Sequence, residues 1–291
     1  TQDMTLIHVF PGQGSHRPGI GKDLFPRFPH LVRQADSVLG RSITDLCLNG
    51  SAEELTDTRN TQTAMYVVGA LSYLDAVRTT GQVPDAVAGH SLGEYVALFA
   101  AGAFDFLTGL EIVVRRGELM AQAPAGGMAA VMGAEPERIR EVLARHAPGV
   151  DIANLNAPGQ TVVAGPADQL KGLAAAFGDE AGAVVPLKVG GAFHSRYMAD
   201  AAEEFGAFLA QYRLGPPRIE VVSNVTARPY GPDEPAGLLS RQIASPVRWS
   251  ESVEYLLGHP DAEIRELGPG QVLTGLVAQI RAARRALSPT A

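Results

Sequence analysis

The chain has 291 residues, 46% hydrophobic and 19% charged, with 32 Gly and 20 Pro, which is an ordinary globular composition and excludes disordered, collagen-like and disulfide-stapled classes. A formal charge of −7 argues against nucleic acid as the main partner, because that binding rests on Lys and Arg. The single cysteine, Cys47, can build neither an internal disulfide nor a thiolate zinc site and reads as a buried apolar residue.

The longest strongly apolar run, Tyr95 to Phe104, is about half of the ~20 residues that a membrane helix needs, and no signal sequence opens the chain. A soluble, cytoplasmic protein without membrane contact is expected, with Met4 reading as the natural start. In chain order, Leu6 to Phe10 reads as a strand, Leu31 to Leu39 and Thr63 to Val77 as helices, and Asp85 to Gly89 as a strand that feeds a turn and a helix from Leu92. A further helix over Leu107 to Ala121 stops at the breaker Pro124-Ala125-Gly126-Gly127. This βαβ rhythm predicts an α/β fold with a mostly parallel sheet.

Beyond the breaker, strand Met128 to Met132, helix Glu135 to His146, strands Val150 to Leu155 and Gln160 to Ala164, helix Ala167 to Phe177 and strand Ala183 to Val189 spell β-α-β-β-α-β, the order of a ferredoxin-like unit. Residues 126–189 are therefore expected to form a small inserted domain, with 1–125 and 190–291 making the large one. A helix near Tyr197 to Tyr212, a strand at Ile219 to Asn224 and a helix near Ser250 to Leu257 return to the large domain, and Arg281, Arg284 and Arg285 recur at helical spacing in the tail.

Three elements carry chemistry. Gly89-His90-Ser91-Leu92-Gly93 is a G-x-S-x-G between a predicted strand and a predicted helix, where glycines relieve a tight turn that lifts the serine out of the sheet. Such an elbow aims the Leu92 N–H at a developing oxyanion. Ser91 then needs a base. Of seven histidines, His8 lies in a strand, His90 more naturally supports the turn, and His30, His146 and His259 lie in predicted surface segments. His194, in Gly190-Gly191-Ala192-Phe193-His194-Ser195 after the last strand of the insertion, is the preferred candidate, although these arguments alone do not decide it. The loop Phe10 to Ser15 follows the first strand but spells neither GxGxxG nor a P-loop, so a second oxyanion donor is its better use.

Together these elements resemble the malonyl-CoA:acyl carrier protein transacylase family, the acyltransferases of fatty acid and polyketide synthesis. Phe10 to Ser15 matches its PGQGS, Thr61-Gln62 its TQ pair, Gly89 to Glu94 its GHSLGE and Arg116 to Met120 its RG-x-x-M helix. Asn154 to Pro158 matches its asparagine loop, Ala192 to Ser195 its AFHS, and Gly268 to Leu276 its GPG-x-x-LTGL. The resemblance implies an α/β-hydrolase-like large domain with a ferredoxin-like insertion, Ser91 as nucleophile and His194 as base. It further implies a main-chain carbonyl from the Gly268 to Val272 loop behind the base, and the N–H groups of Gln13 and Leu92 as oxyanion donors. Arg116 would clamp the malonyl carboxylate; helical projection does not separate it from Arg115, and the preference rests on its place directly before the glycine. Phe193 matches the AFH form associated with unbranched malonyl.

The implied reaction moves a malonyl unit from malonyl-CoA to the phosphopantetheine thiol of an acyl carrier protein, with no metal and no cofactor. Met4 lies one residue before the first strand-like run with no long linker ahead of it, so a discrete protein acting in trans is expected, and the N-terminal Ile7 to Phe10 and the stretch Ile243 to Trp249 look more like polyketide-associated enzymes, implying polyketide synthase modules as what it serves. Because carrier proteins of this family are acidic, Arg196 and the C-terminal arginines are candidates for a docking patch. Competing readings are an editing acyl hydrolase on the same scaffold, a transferase for a larger extender unit, a Ser-Asp-His hydrolase using His259, and a non-catalytic carrier-docking module.

Overall fold

The computed structural model describes residues 3–288. Strand β1 (Thr5–Phe10) leads into helices α1 (Pro29–Leu39), α2 (Ile43–Asn49), α3 (Ala52–Thr56) and α4 (Thr58–Thr80). Strand β2 (Ala86–Gly89) and helices α5 (Gly93–Ala100) and α6 (Phe106–Gln122) follow. Then come β3 (Gly127–Met132), α7 (Pro136–His146), β4 (Asp151–Ala157), β5 (Gln160–Gly165), α8 (Ala167–Lys171), α9 (Leu173–Phe177) and β6 (Ala183–Pro186). The chain closes with α10 (Ala199–Leu209), β7 (Glu220–Val222), α11 (Pro235–Gln242), α12 (Trp249–Leu257), β8 (Ala262–Glu266) and α13 (Val272–Ala286).

The first sheet has the order β7-β2-β1-β8, and every pair in it is parallel. Its central strands are buried on both faces, as parallel strands covered by helices must be. Phe10, Val87 and Val221 face the core with α4, α5 and α6, while Ile7, Val9, Ala86, Ala88 and Val222 face Trp249, Val253, Leu273 and Ile280 from α12 and α13. The register sets Phe10 opposite Gly89. Both strands therefore end side by side, bringing the Pro11–Ser15 loop against the turn that carries Ser91.

The second sheet has the order β4-β5-β3-β6, is antiparallel throughout and packs on α7 and α9 through Ile139, Val142, Leu143, Leu173 and Phe177. With the β-α-β-β-α-β chain order this is the ferredoxin-like topology. The expected helix over Ala167 to Phe177 is divided at Gly172 into α8 and α9. The last strand stops at Pro186, where a ladder donor is missing. Helices α2, α3 and α11 and strand β8 lie outside the sequence expectations. The first two are short and held by side-chain caps, Ser42 on the Asp45 N–H and a reciprocal Ser51–Glu54 box. Cys47 is buried, and burial pushes its thiol up to about 12, in keeping with an apolar role. No helix among the described residues is long and apolar enough to cross a membrane.

Candidate active site

The turn between β2 and α5 is possible only with glycine on both sides. A Cβ on Gly89 would lie 1.9 Å from the Gly93 carbonyl carbon, and one on Gly93 would lie 2.1 Å from the Phe10 oxygen. Between them Ser91 adopts φ 54°, a left-handed conformation costly for a residue with a Cβ. Asn224, just past β7, holds it there: its Oδ1 accepts the Ser91 N–H at 2.8 Å and its Nδ2 donates to the Gly89 oxygen at 2.7 Å.

His194 meets this serine from the segment after β6. It too has a positive φ, 58°, fixed by its own N–H donating to the Ile243 oxygen at 3.0 Å. Its Nε2 lies 2.7 Å from Ser91 Oγ and its Nδ1 2.9 Å from the Gln242 main-chain oxygen. A carbonyl can only accept, so Nδ1 carries the ring proton and Nε2 is left free to receive the serine's. Burial, aided by the Arg116 charge, lowers the His194 pKa to about 3, which keeps the ring neutral and its Nε2 unprotonated at physiological pH.

The carbonyl behind His194 therefore differs from the one expected. It comes from Gln242, at the end of α11, where helix geometry leaves a C-terminal carbonyl without an intrahelical donor. The Gly268 to Val272 segment does something else: Gly268 packs on Pro11 and Gly270 on Ser15, backing the Gly-rich loop.

Arg116 projects from α6 and is buried, whereas Arg115 lies on the half-exposed flank and pairs with Glu118 at 3.2 Å. The Arg116 guanidinium donates to Gln62 Oε1 at 2.8 Å, Gln242 Oε1 at 2.9 Å and Ser91 Oγ at 3.2 Å, and lies over the Tyr95 ring. Ser91, His194 and Arg116 thus converge on one hydroxyl. Gln13, Leu92, Gln62, Met120, Met128 and Phe193 join them in lining a cavity of about 280 Å³. Gly12 is pressed against the elbow, its missing Cβ position 2.5 Å from the His90 oxygen and 3.4 Å from the Leu92 nitrogen. Among the described residues, the main-chain N–H groups of Gln13 and Leu92 donate to no protein acceptor, so both are free to serve a bound oxygen.

Residues 7–269 match the acyl transferase domain family. The chain belongs to the acyl transferase family. The polyketide biosynthesis malonyl CoA-acyl carrier protein transacylase PksC of Bacillus subtilis is 50% identical over 279 residues, which span 95% of this chain and 97% of that protein. A malonyl CoA-acyl carrier protein transacylase of Burkholderia pseudomallei superposes with a TM-score of 0.93 at 48% identity, covering 96% of this chain and 99% of that one. A malonyl-transacylase solved in complex with its type II polyketide acyl-carrier protein gives 0.90 at 35% identity over 95% and 93% of the two chains.

Two residues that hold this acyl transferase site together escaped the sequence reading. Gln242 presents its carbonyl to His194, its Oε1 to Arg116 and its Nε2 to the Ser91 oxygen at 2.9 Å, while Asn224 braces the elbow. Neither lies in a recognised motif, and an Asn or Gln shows its use only once its neighbours are known. His90 supports the turn as expected, 2.7 Å from Asn156 Oδ1 and packed on Trp249. The asparagine segment is strand β4 with two register shifts, and Asn154 lines the cavity. His259 pairs with Glu220 at 2.9 Å at the far end of the sheet, where β8 enters, and takes no part in the cluster. Arg196 is engaged by Asp151 through several contacts, from 2.5 Å, so most of its charge is answered within the chain. Arg281 and Arg284 donate to the main-chain oxygens of Ala262 and Glu254.

Proposed function

We propose that the protein transfers a malonyl group from coenzyme A to the phosphopantetheine thiol of an acyl carrier protein through a malonyl ester on Ser91. The observation that carries this reading is the convergence on one serine hydroxyl of a neutral imidazole with an open Nε2 and a buried guanidinium. The first is what a serine nucleophile needs; the second is what a free carboxylate on the acyl group needs. The relatives described above carry the same activity in their names.

In the forward half-reaction His194 Nε2 takes the Ser91 proton as Oγ attacks the thioester carbonyl. The developing oxyanion is received by the Gln13 and Leu92 N–H groups, each such donor being worth roughly 3 kcal/mol. The intermediate collapses, His194 returns its proton to the leaving thiolate, and coenzyme A departs as the thiol. The second half-reaction reverses these steps with the carrier's thiol as nucleophile. Thioester is exchanged for thioester, so no external energy source enters the balance. Arg116 fixes the malonyl carboxylate, and Phe193, buried beside the base, limits the room for an α-substituent. Arg116 also weighs against an editing hydrolase of neutral acyl chains, which would bear the cost of burying a cation and gain nothing from it. The polyketide names of the 47–50% identical relatives support a place beside polyketide synthase modules.

The test is transfer to a phosphopantetheinylated carrier protein from malonyl-, methylmalonyl- and ethylmalonyl-CoA, with free acid measured in parallel. Malonyl carrier should form fastest, with little malonate released. Release of acid outpacing transfer would overturn the reading in favour of hydrolysis.

A further inference from the structure

Among the described residues, Glu94 and Arg116 are the only Asp, Glu, Lys or Arg side chains that are buried, and they belong to one cluster. Neither touches an opposite charge. Every partner of Glu94 is a neutral donor: the Asn224 N–H at 3.1 Å and Gln242 Nε2 at 3.3 Å on Oε1, and the Tyr230 hydroxyl at 2.9 Å on Oε2. The guanidinium of Arg116 likewise donates to the neutral oxygens of Gln62, Gln242 and Ser91. A single amide, Gln242, bridges the two, so the site without its acyl group holds one positive and one negative charge that do not touch. A malonyl group brings a second negative charge to Arg116. An acetyl group does not.

We propose that Glu94 is the exchangeable counter-charge of the site, anionic while the clamp is empty and protonated from solvent when a malonyl carboxylate occupies Arg116. The proposal rests on the malonyl-transfer reading above. Glu94 has the hydrogen bonding to accept a proton without disturbing its neighbours. The Asn224 and Gln242 donors continue to serve Oε1, while the Tyr230 hydroxyl, which also adjoins Ser223, can turn from donor to acceptor as Oε2 gains its hydrogen. Gln242 therefore keeps its orientation, and with it the Arg116 side chain. Burial, opposed by these hydrogen bonds and by Arg116, pushes the Glu94 carboxyl up to about 7, where one further nearby charge shifts its occupancy most effectively. The other titratable groups around it are Arg116 and the phenols of Tyr95 and Tyr230; burial raises both phenols, which stay neutral. By linkage, malonyl binding tightens as pH falls through 7, and acetyl binding does not.

Calorimetry of Ser91→Ala protein, which cannot be acylated, tests this with malonyl-CoA and acetyl-CoA at pH 7.5 in two buffers of different ionisation enthalpy. Malonyl-CoA should take up on the order of half a proton per site, and acetyl-CoA, with the same nucleotide phosphates, close to none. Adding Glu94→Gln, which fixes the neutral form, should abolish the uptake and tighten malonyl-CoA binding about threefold at pH 7.5, with acetyl-CoA binding unchanged. Equal uptake with the two esters, or uptake surviving Glu94→Gln and so belonging to a histidine, would overturn the inference. Should the double variant fail to fold, the contrast between esters in Ser91→Ala decides alone. Binding of malonyl-CoA without proton uptake overturns this inference only, whereas a folded Ser91→Ala protein that binds no malonyl-CoA overturns the transfer reading with it.

Discussion

Replacing Arg116 separates the carboxylate clamp from the rest of the machinery. Its guanidinium is fully enclosed, so a malonyl carboxylate reaching it forms a desolvated charge pair, and truncating one partner of such a pair costs about 2–5 kcal/mol. Arg116→Ala should therefore lower kcat/KM for malonyl-CoA by roughly 30- to 5,000-fold. Acetyl-CoA presents no carboxylate, and its kcat/KM should change less than about 10-fold. Arg116→Lys keeps the charge but loses the planar fork and should fall between. Because the variant leaves the Gln62 and Gln242 oxygens without their donor, at about 1–3 kcal/mol each, thermal melting must accompany the kinetics. Arg115→Ala is the control, since its pairs with Glu118 and Glu204 are half-exposed and contribute little. Initial rates with both esters supply the readout. Equal losses for malonyl and acetyl in folded Arg116→Ala would refute the clamp.

Three further outcomes follow from the geometry. His194→Ala should reduce turnover by roughly 100- to 10,000-fold, while His259→Ala, whose ring pairs with Glu220 and packs on Tyr255 away from the site, should stay within about twofold of the parent; the reverse ranking would reinstate a Ser-Asp-His arrangement. Gly12→Ala places a Cβ 2.5 Å from the His90 oxygen and must push the Gln13 N–H away from Leu92, so kcat should fall about 100-fold or more, and an unchanged kcat would remove Gln13 from the oxyanion site. Burial lowers the pKa of His194 to about 3 and, with help from Arg265, that of His8 to about 4, and it lowers those of His90 and His16 as well, so around pH 5–6 the unfolded chain binds at least about two protons that the native one does not. Glu94, raised to about 7, works in the opposite direction with one proton. The net difference makes stability rise with pH by at least about 1.4 kcal/mol per unit over that window, and denaturant melts showing a flat or falling trend would contradict the balance.

Much of this site was legible because its demands on sequence are local. An elbow needs glycine two residues either side of the serine, and the distances from Gly89 and Gly93 to neighbouring backbone show why no other residue fits. The short apolar run that forms β1 and the β-α-β-β-α-β rhythm are equally local signals. What escaped is long-range. Gln242 acts through its amide on Ser91 and Arg116, more than a hundred positions earlier, and through its carbonyl on His194, 48 positions earlier; neither group carries a sequence signature, and the family resemblance points to the Gly268 to Val272 loop instead. Arg115 and Arg116 could not be separated by projection alone, because the deciding fact is which one the α4 residue Gln62 and the α11 residue Gln242 enclose. The expected role of Arg196 took no account of Asp151, which reaches it from β4 of the other sheet.

The central claim is a malonyl group resting on Ser91 between two thiols. Brief incubation with malonyl-CoA, quenching in acid and peptide mapping by mass spectrometry should show the malonyl mass on the peptide carrying Ser91, and adding phosphopantetheinylated carrier protein before the quench should move that mass to the carrier. A folded protein whose Ser91 stays unmodified while carrier protein is malonylated would contradict the account.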